Sequence, residues 1–298
     1  MRRKKQYSLR KLRTRQGLML MTPWLVGFFA FTLYPLVYSL YLSFHHVSNT
    51  AWGIETAFRG FDNYRRVLFT DADFPTNMLT FVQTLIPSVL IIVVFALFIA
   101  MLINYPIRGR GFFRAVFFLP VVISSGEVLD ELFGGGSEAN VFVSQYGIID
   151  AVTGILPPVL SEPVGILLTQ LIVTLWYSGV PILIFLSGLQ KIDKAVFEAA
   201  SVDGASGWEA FWKITLPYLK PFIMIGFVYS TVFLCTSSLN PIIGQIKETM
   251  YGSITTGYGY ATAMAWIYFL AVFVIVAAIV SLMSRRDRLP RERRRRRA

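Results

Sequence analysis

Twenty-eight consecutive residues, Gly17–Phe44, carry no charged side chain, and a second uncharged run extends from Asn77 to Ile107. A helix rises 1.5 Å per residue, so about 20 apolar residues span the roughly 30 Å of bilayer hydrocarbon. Each of these runs exceeds that length. Four more apolar segments follow: Phe112–Phe133, Pro163–Gln190, Pro221–Ile246 and Tyr251–Ser284. The third is interrupted by Arg114, Glu127, Asp130 and Glu131, so its outer end is expected to meet water or protein. Composition agrees, with 55% hydrophobic and 15% charged residues against about 25% charged in an ordinary soluble domain. The expected architecture is an all-α integral membrane protein of six transmembrane helices, spanning about 17–44, 77–107, 112–133, 163–190, 221–246 and 251–284.

The net charge of +11 would suit a nucleic-acid partner if it were clustered on one face. It is split instead between the ends. Eight Lys or Arg residues precede Gln16 and nine Arg residues follow Ser284. Residues 1–16 and 285–298 therefore read as basic cytoplasmic tails attracted to anionic membrane lipid, with no nucleic-acid partner. Placing both termini inside puts 24 of the 28 cations in the inner segments, leaving Arg59, Arg65, Arg66 and Lys247 outside. The stretch between Gly126 and Pro163 has six acids and no Lys or Arg. Six spans with N-in and C-in satisfy this asymmetry. Gly17–Phe44 is too long for the apolar core of a signal peptide, so the first segment is expected to be a retained helix. A short helix near Gly147–Leu156 is expected in the outer loop 127–163.

The chain's one cysteine, Cys235, lies in an apolar stretch, and its two histidines, His45 and His46, are adjacent. Neither provides a disulfide framework or a spaced metal set. No G-x-x-x-x-G-K-[ST] phosphate loop occurs, so this chain is not expected to bind ATP or to act as an enzyme.

The longest inner segment, 191–220, is not a plain linker. Asp193 is placed to cap a helix containing Phe197, Ala199, Ala200 and Val202. Gly204 and Gly207 break it. Ser206 and Glu209 have capping-box spacing, so a second helix should start there. Trp208, Phe211, Trp212 and Thr215 fall at i, i+3, i+4 and i+7, one aromatic stripe, and Pro217 and Pro221 mark the start of the fifth span. The expectation is two short helices, the second lying along the membrane surface.

The same segment resembles the loop of membrane subunits of binding-protein-dependent ABC importers. Glu198-Ala199-Ala200 is followed after three residues by Gly204, then after nine by Ile214, Leu216 and Pro217. Asp203-Gly204-Ala205 matches the sugar-type version. Tyr34-Pro35-Leu36, Ser43-Phe44, Gly60-Phe61-Asp62-Asn63-Tyr64, Phe113-Arg114-Ala115 and Leu119-Pro120 are similar to the maltose and glycerol-3-phosphate branch, in the same order. The resemblance implies a type I ABC importer permease fold in a bacterial or archaeal cytoplasmic membrane. It implies a cytoplasmic coupling helix in which Glu198, Ala199, Ala200, Asp203 and Gly204 dock on an ATPase. It also implies the partners: a second homologous permease subunit, an ABC ATPase dimer that holds ATP and Mg, and an extracellular substrate-binding protein meeting loops 45–78 and 127–163.

In similar sugar permeases the helices on either side of this loop line the pathway. The candidates are Thr174, Trp176, Tyr177 and Ser178 on the fourth span and Tyr229, Phe233, Thr236, Ser237 and Asn240 on the fifth. Aromatic faces stack on the C–H surfaces of sugars while hydroxyls and amides bond their hydroxyl groups. No Lys or Arg lies in these stretches, which favours a neutral or weakly charged ligand over a phosphorylated one.

Two other readings compete. Gly204-Ala205-Ser206-Gly207 also fits the GxSG pattern of rhomboid proteases, but that chemistry needs a histidine on another span to take the serine proton. His45 and His46 belong to the outer end of the first span, opposite Ser206. The remaining alternative is an ATP-independent six-helix channel or transporter. No span carries an arginine ladder for voltage sensing.

Overall fold

The structure is a computed structural model, and it describes residues 3–50, 53–105, 111, 154, 157, 174–175, 177–237, 240–252 and 257–284. The third expected span, Trp176 and the outer segment around Gly147–Leu156, apart from Gly154, lie outside the described residues.

The described chain is mostly helical. Helix α1 (Arg3–Phe28) passes through a wide π-helical turn, Phe29–Leu33, into α2 (Tyr34–Ser43). Pro35 directly follows the π turn, whose wide bond from Tyr34 N to Phe29 O absorbs the missing N–H without a break. Strands β1 (His45–Thr50) and β2 (Gly53–Phe58) pair antiparallel, His45 opposite Phe58 and Thr50 opposite Gly53. This hairpin departs from the expected all-α class. Its residues lie beyond the apolar run, where the hydrophobic period is two: His45 and Val47 are buried and His46 is less so. Helix α3 (Asp62–Arg65) and a second π turn, Arg66–Thr70, lead to α4 (Asp73–Asn104). Then come α5 (Tyr177–Leu189), α6 (Lys194–Val202), α7 (Gly207–Ala210), a third π turn (Phe211–Thr215), α8 (Leu216–Thr236), α9 (Pro241–Gly252) and α10 (Gly257–Ser284).

Among the described residues, four stretches are long and apolar enough to cross a membrane: Gln16–Ser43, Asp73–Asn104, Gly207–Gly252 and Gly257–Ser284. Helix α4 shows how such a helix is built. Leu85, Val89, Ile92, Ala96, Ala100 and Ile103 form a buried stripe at i, i+4, i+7 spacing, while Leu79, Ile86, Leu90, Val94, Phe98 and Leu102 are exposed. A helix apolar on both faces needs lipid or another subunit on the side its own chain leaves open.

The chain forms two compact units, one of residues 1–74 and 246–267, the other of residues 75–245 and 268–298. In the first, the Gly60–Tyr64 segment fastens the end of α2. Gly60 takes a positive φ of 58°. Asn63 Nδ2 donates to the carbonyls of Ser43 (2.9 Å) and His45 (3.0 Å), and the Tyr64 and Ser43 hydroxyls share a bond of 2.7 Å. Tyr260 Oη donates to Asp71 Oδ2 at 2.6 Å, with the Arg66 guanidinium 5.0 Å from the Tyr260 ring centre. Gly259 packs directly on the backbone carbonyls of His45 and Leu42, so a Cβ there has no room.

In the second unit, α5 and α8 pack antiparallel and α6–α7 closes their ends. The stretch expected as the fifth span, Pro221–Ile246, breaks after Thr236, and a new helix begins at Pro241. A broken helix within a membrane leaves carbonyls that only protein groups can satisfy. Here Asn240 Nδ2 donates to Cys235 O (3.1 Å), Leu234 O (3.4 Å) and Tyr268 Oη (2.7 Å), and Tyr268 Oη donates to Cys235 O (2.8 Å). Asn240 Oδ1 in turn accepts from Ile242 N at 2.9 Å, capping α9.

Candidate functional site: a coupling loop and a neutral cavity

Two places in the second unit carry chemistry. The first is the loop between α5 and α8. Asp193 caps α6 as its sequence position requires, its side chain accepting from Ala195 N at 3.1 Å. The helix closes on Gly204, whose φ is 79°. Gly204 N donates to Ser201 O (3.1 Å) and Ala205 N to Ala200 O (2.9 Å). These are the two bonds of a Schellman closure, which needs a left-handed residue at its C′ position. The motif glycine therefore sits where a side chain would strain the backbone. Ser206 and Glu209 then form a complete capping box. Glu209 is exposed, and the Ser206 backbone amide, with Lys213 at 3.1 Å, holds its carboxyl below the ordinary range.

The second helix does not lie apart along the membrane surface as expected. The backbone stays helical from Gly207 through the π turn into α8. Pro217 lacks an N–H and Pro221 removes another, yet Leu216 N reaches back five residues to Phe211 O, so the wide turn absorbs the irregularity without a break. Trp208 and Trp212 do stack along one side, 5.5 Å apart edge to face.

Helix α6 buries none of its own residues. Glu198, Ala199, Asp203 and Gly204 are exposed and Ala200 is half-buried. Val202 is 88% exposed and Trp208 70%. A capped, glycine-closed turn with small residues and two acids thus stands clear of the described chain. That arrangement permits close backbone approach by another protein, with charge pairing.

The second place is a cavity of about 430 Å³ lined by Asn77, Thr80, Phe81 and Thr84 of α4, Tyr177 of α5, and Leu234, Ser237, Asn240 and Pro241 at the α8–α9 break. Ligand pockets have volumes of about 300–1,000 Å³. The described lining has hydroxyls, amides and aromatic faces and no ionised side chain.

Of the pathway residues named from sequence, Tyr177, Ser237 and Asn240 meet at this cavity. The Tyr177 and Ser237 hydroxyls bond at 3.1 Å. Phe233 backs the Tyr177 ring at 5.5 Å, and Tyr229 stacks on Phe233 at 5.6 Å. Thr174 and Ser178 are buried, Ser178 donating to Leu175 O at 3.0 Å. Thr236 is exposed and donates to Val232 O at 2.8 Å. Asn240 reaches the lining, but its amide is engaged in holding the helix break.

The α4 wall escaped the sequence reading. Its signal was present: Asn77, Thr80, Phe81 and Thr84 fall at i, i+3, i+4 and i+7 in an otherwise apolar span. Thr80 Oγ1 donates to Thr76 O (3.0 Å) and Thr84 Oγ1 to Phe81 O (2.9 Å) and Thr80 O (3.1 Å), while Asn77 Nδ2 donates to Gln245 Oε1 (3.1 Å). With these donors engaged, the wall offers oxygen lone pairs, which suit a ligand rich in O–H donors.

Comparison with known proteins agrees with this anatomy. A permease protein of Bacillus subtilis (strain 168), YesP, described as a probable ABC transporter permease, is 30% identical over 94% of this chain and 94% of its own. The multiple sugar-binding transport system permease protein MsmF of Streptococcus mutans is 30% identical over 85% of this chain and 89% of its own. The fold is similar to that of a chain in a bacterial alginate ABC transporter solved with an alginate pentasaccharide-bound periplasmic protein, with a TM-score of 0.58 and 20% identity over 93% of this chain and 96% of that one. Residues 78–295 match the family described as the binding-protein-dependent transport system inner membrane component. With its long apolar helices and its exposed, capped loop, the chain belongs to that family of membrane transport subunits.

Proposed function

We propose that this chain is one permease subunit of an ATP-driven importer and forms part of the path for a neutral sugar or oligosaccharide. The observation that carries the reading is the α5–α8 hairpin. One end presents the free, capped Glu198–Gly204 turn, and the other end contributes Tyr177 and Ser237 to a neutral, hydroxyl-lined cavity. The name of the multiple sugar-binding relative MsmF supports a sugar as ligand, and the uncharged cavity lining supports a neutral one. The inside-rich distribution of Lys and Arg supports six spans with both termini in the cytoplasm.

In this reading the turn docks on one subunit of an ATPase dimer, which holds ATP and Mg. A second permease completes the path, and an extracellular binding protein delivers the ligand at the outer loops. ATP closes the ATPases, the docked turns move, and the cavity faces outward. The ligand acts by binding the two states unequally. Within the cavity, Tyr177 and Phe81 provide ring faces, and Thr80, Thr84 and Asn77 accept hydroxyl protons.

The test is purification of the tagged chain from its native membrane, followed by ATPase assays with its binding protein and a panel of neutral and acidic sugars. The expected result is co-purification of an ATPase subunit and stimulation by a neutral sugar. Isolation without an ATPase, or stimulation by acidic sugars alone, would reject the reading. Thr80→Val with Thr84→Val keeps the shape and removes acceptors. It should lower uptake by about tenfold, equivalent to one lost hydrogen bond to a ligand of about 1.4 kcal/mol, while leaving ATPase co-purification unchanged.

A further inference from the structure

Helices α5 and α8 are held in steady antiparallel register along their whole shared length. Nearest the coupling loop, Tyr218 Oη donates to Lys191 O at 3.3 Å, and Lys191 Nζ lies 5.4 Å from the centre of the Phe222 ring. One turn further, a Cβ placed on Gly188 would stand 2.7 Å from Leu219 Cδ2 and 2.9 Å from Phe222 Cγ. Next, a Cβ on Gly226 would stand 2.6 Å from Phe185 Cζ. At the cavity, Tyr177 meets Phe233 and Ser237. Leu219 and Phe185 are fully buried, so neither has free space to swing into. Two glycines, one on each helix, let each backbone accept a large side chain from the other. Small residues that admit close backbone approach are what hold membrane helices together.

We propose that Gly188 and Gly226 are positioning residues that clasp α5 and α8 into one rigid lever, about 20 Å long by helix rise, which carries movement of the Glu198–Gly204 turn to the Tyr177–Ser237 wall of the cavity. This rests on the importer reading above. Helix α4 supplies the opposite wall of the cavity through Asn77, Thr80, Phe81 and Thr84, so it is the reference against which movement of the lever is read. The interlocked side chains make the clasp resist sliding, because packed interiors shift between discrete arrangements and do not deform continuously.

The experiment uses the assembled complex with its partner subunits in lipid nanodiscs, with Cys235 replaced by Ala. Spin labels at Ser187→Cys and Ile225→Cys report on the α5–α8 distance. Labels at Ile91→Cys and Val232→Cys report on α4 against α8. The probe is ATP with vanadate. The expected result is a shift above about 2 Å, the scale of helix displacements in switching proteins, for the α4–α8 pair and none above it for the α5–α8 pair. A shift in both pairs overturns the lever. A shift in neither overturns the ATP-driven reading, and the lever with it.

A covalent staple gives a second, independent readout. Phe222 Cγ is one bond from its Cβ, so Gly188→Cys with Phe222→Cys falls within reach of the roughly 3.5–4.5 Å Cβ separation of a disulfide. Oxidising that pair should leave the ATP-driven α4–α8 shift intact. Its loss on oxidation and return on reduction would overturn the proposal. Gly226→Leu wedges the helices apart and should abolish the α4–α8 shift while ATPase subunits still co-purify; a retained shift counts equally against the lever.

Discussion

At the scale of single residues, the family motif becomes a statement about backbone conformation. Gly204 closes α6 with a φ of 79°, a region that costs an L-residue about 1–2 kcal/mol. Nothing lies within 4 Å of a Cβ placed there, so the penalty is conformational and not steric. Gly204→Ala should therefore loosen the turn by about 1 kcal/mol, read as faster amide exchange at Gly204 and Ala205 in the assembled complex. Unchanged exchange would show that the left-handed geometry is not what the glycine provides. In the first unit, burial pushes the Asp71 carboxyl up. The Tyr260 hydroxyl, the Phe74 and Asp73 amides and the Arg66 charge outweigh it and hold the carboxyl below its ordinary value of 3.8. A folded pKa below the unfolded one means the stabilising effect is complete above about pH 4 and is lost as pH falls through the folded value. Asp71→Asn should lower the thermal midpoint at pH 7 and flatten its decline below pH 4. Parallel wild-type and variant curves would refute that linkage.

At the scale of elements, the break between α8 and α9 depends on one amide. Asn240 satisfies carbonyls left at the end of α8 and caps α9, with Tyr268 as its only side-chain partner among the described bonds. Asn240→Ala removes the cap and leaves Leu234 O with one bond fewer. It should cost about 1–3 kcal/mol, measurable by thermal unfolding in detergent, and should disturb the cavity lining by letting Ser237 move. The π turn at Phe211–Thr215 does the opposite work. It keeps α7 and α8 in one piece through Pro217, so the helix that starts at the capped turn continues without a break into α8.

At the scale of the whole molecule, the neutral cavity and the exposed turn lie at opposite ends of the same helix pair. Their separation makes coupling a mechanical question. Glu198 is exposed and has no side-chain partner among the described residues, so reversing its charge has little local structural cost. Glu198→Lys should leave the chain folded and membrane-inserted, and should abolish ligand-stimulated ATP hydrolysis in the reconstituted complex. Normal stimulation would remove Glu198 from the docking surface. The exposed apolar faces of α4 and α10 suit a lipid surrounding, because a helix that is apolar on its outer side needs an apolar neighbour there.

The sequence alone determined the membrane class and the caps and closing turn of the loop between α5 and α8. Each of these depends on side-chain hydropathy or on bonds between residues a few positions apart: Asp193 to Ala195, Ser206 to Glu209, Gly204 to Ser201. Only the tertiary structure decided that the helix breaks between Thr236 and Pro241, that Asn240 holds that break while lining the cavity, and that Thr80 and Thr84 of α4 share the cavity with Tyr177. Those outcomes join residues far apart in the chain, and an apolar stretch is compatible with a straight helix or a broken one until another helix supplies the hydrogen bonds that make the break stable. The same holds for Gly188 and Gly226, whose place in the sequence says only that they are small, while the side chains that fill the space beside them come from the neighbouring helix.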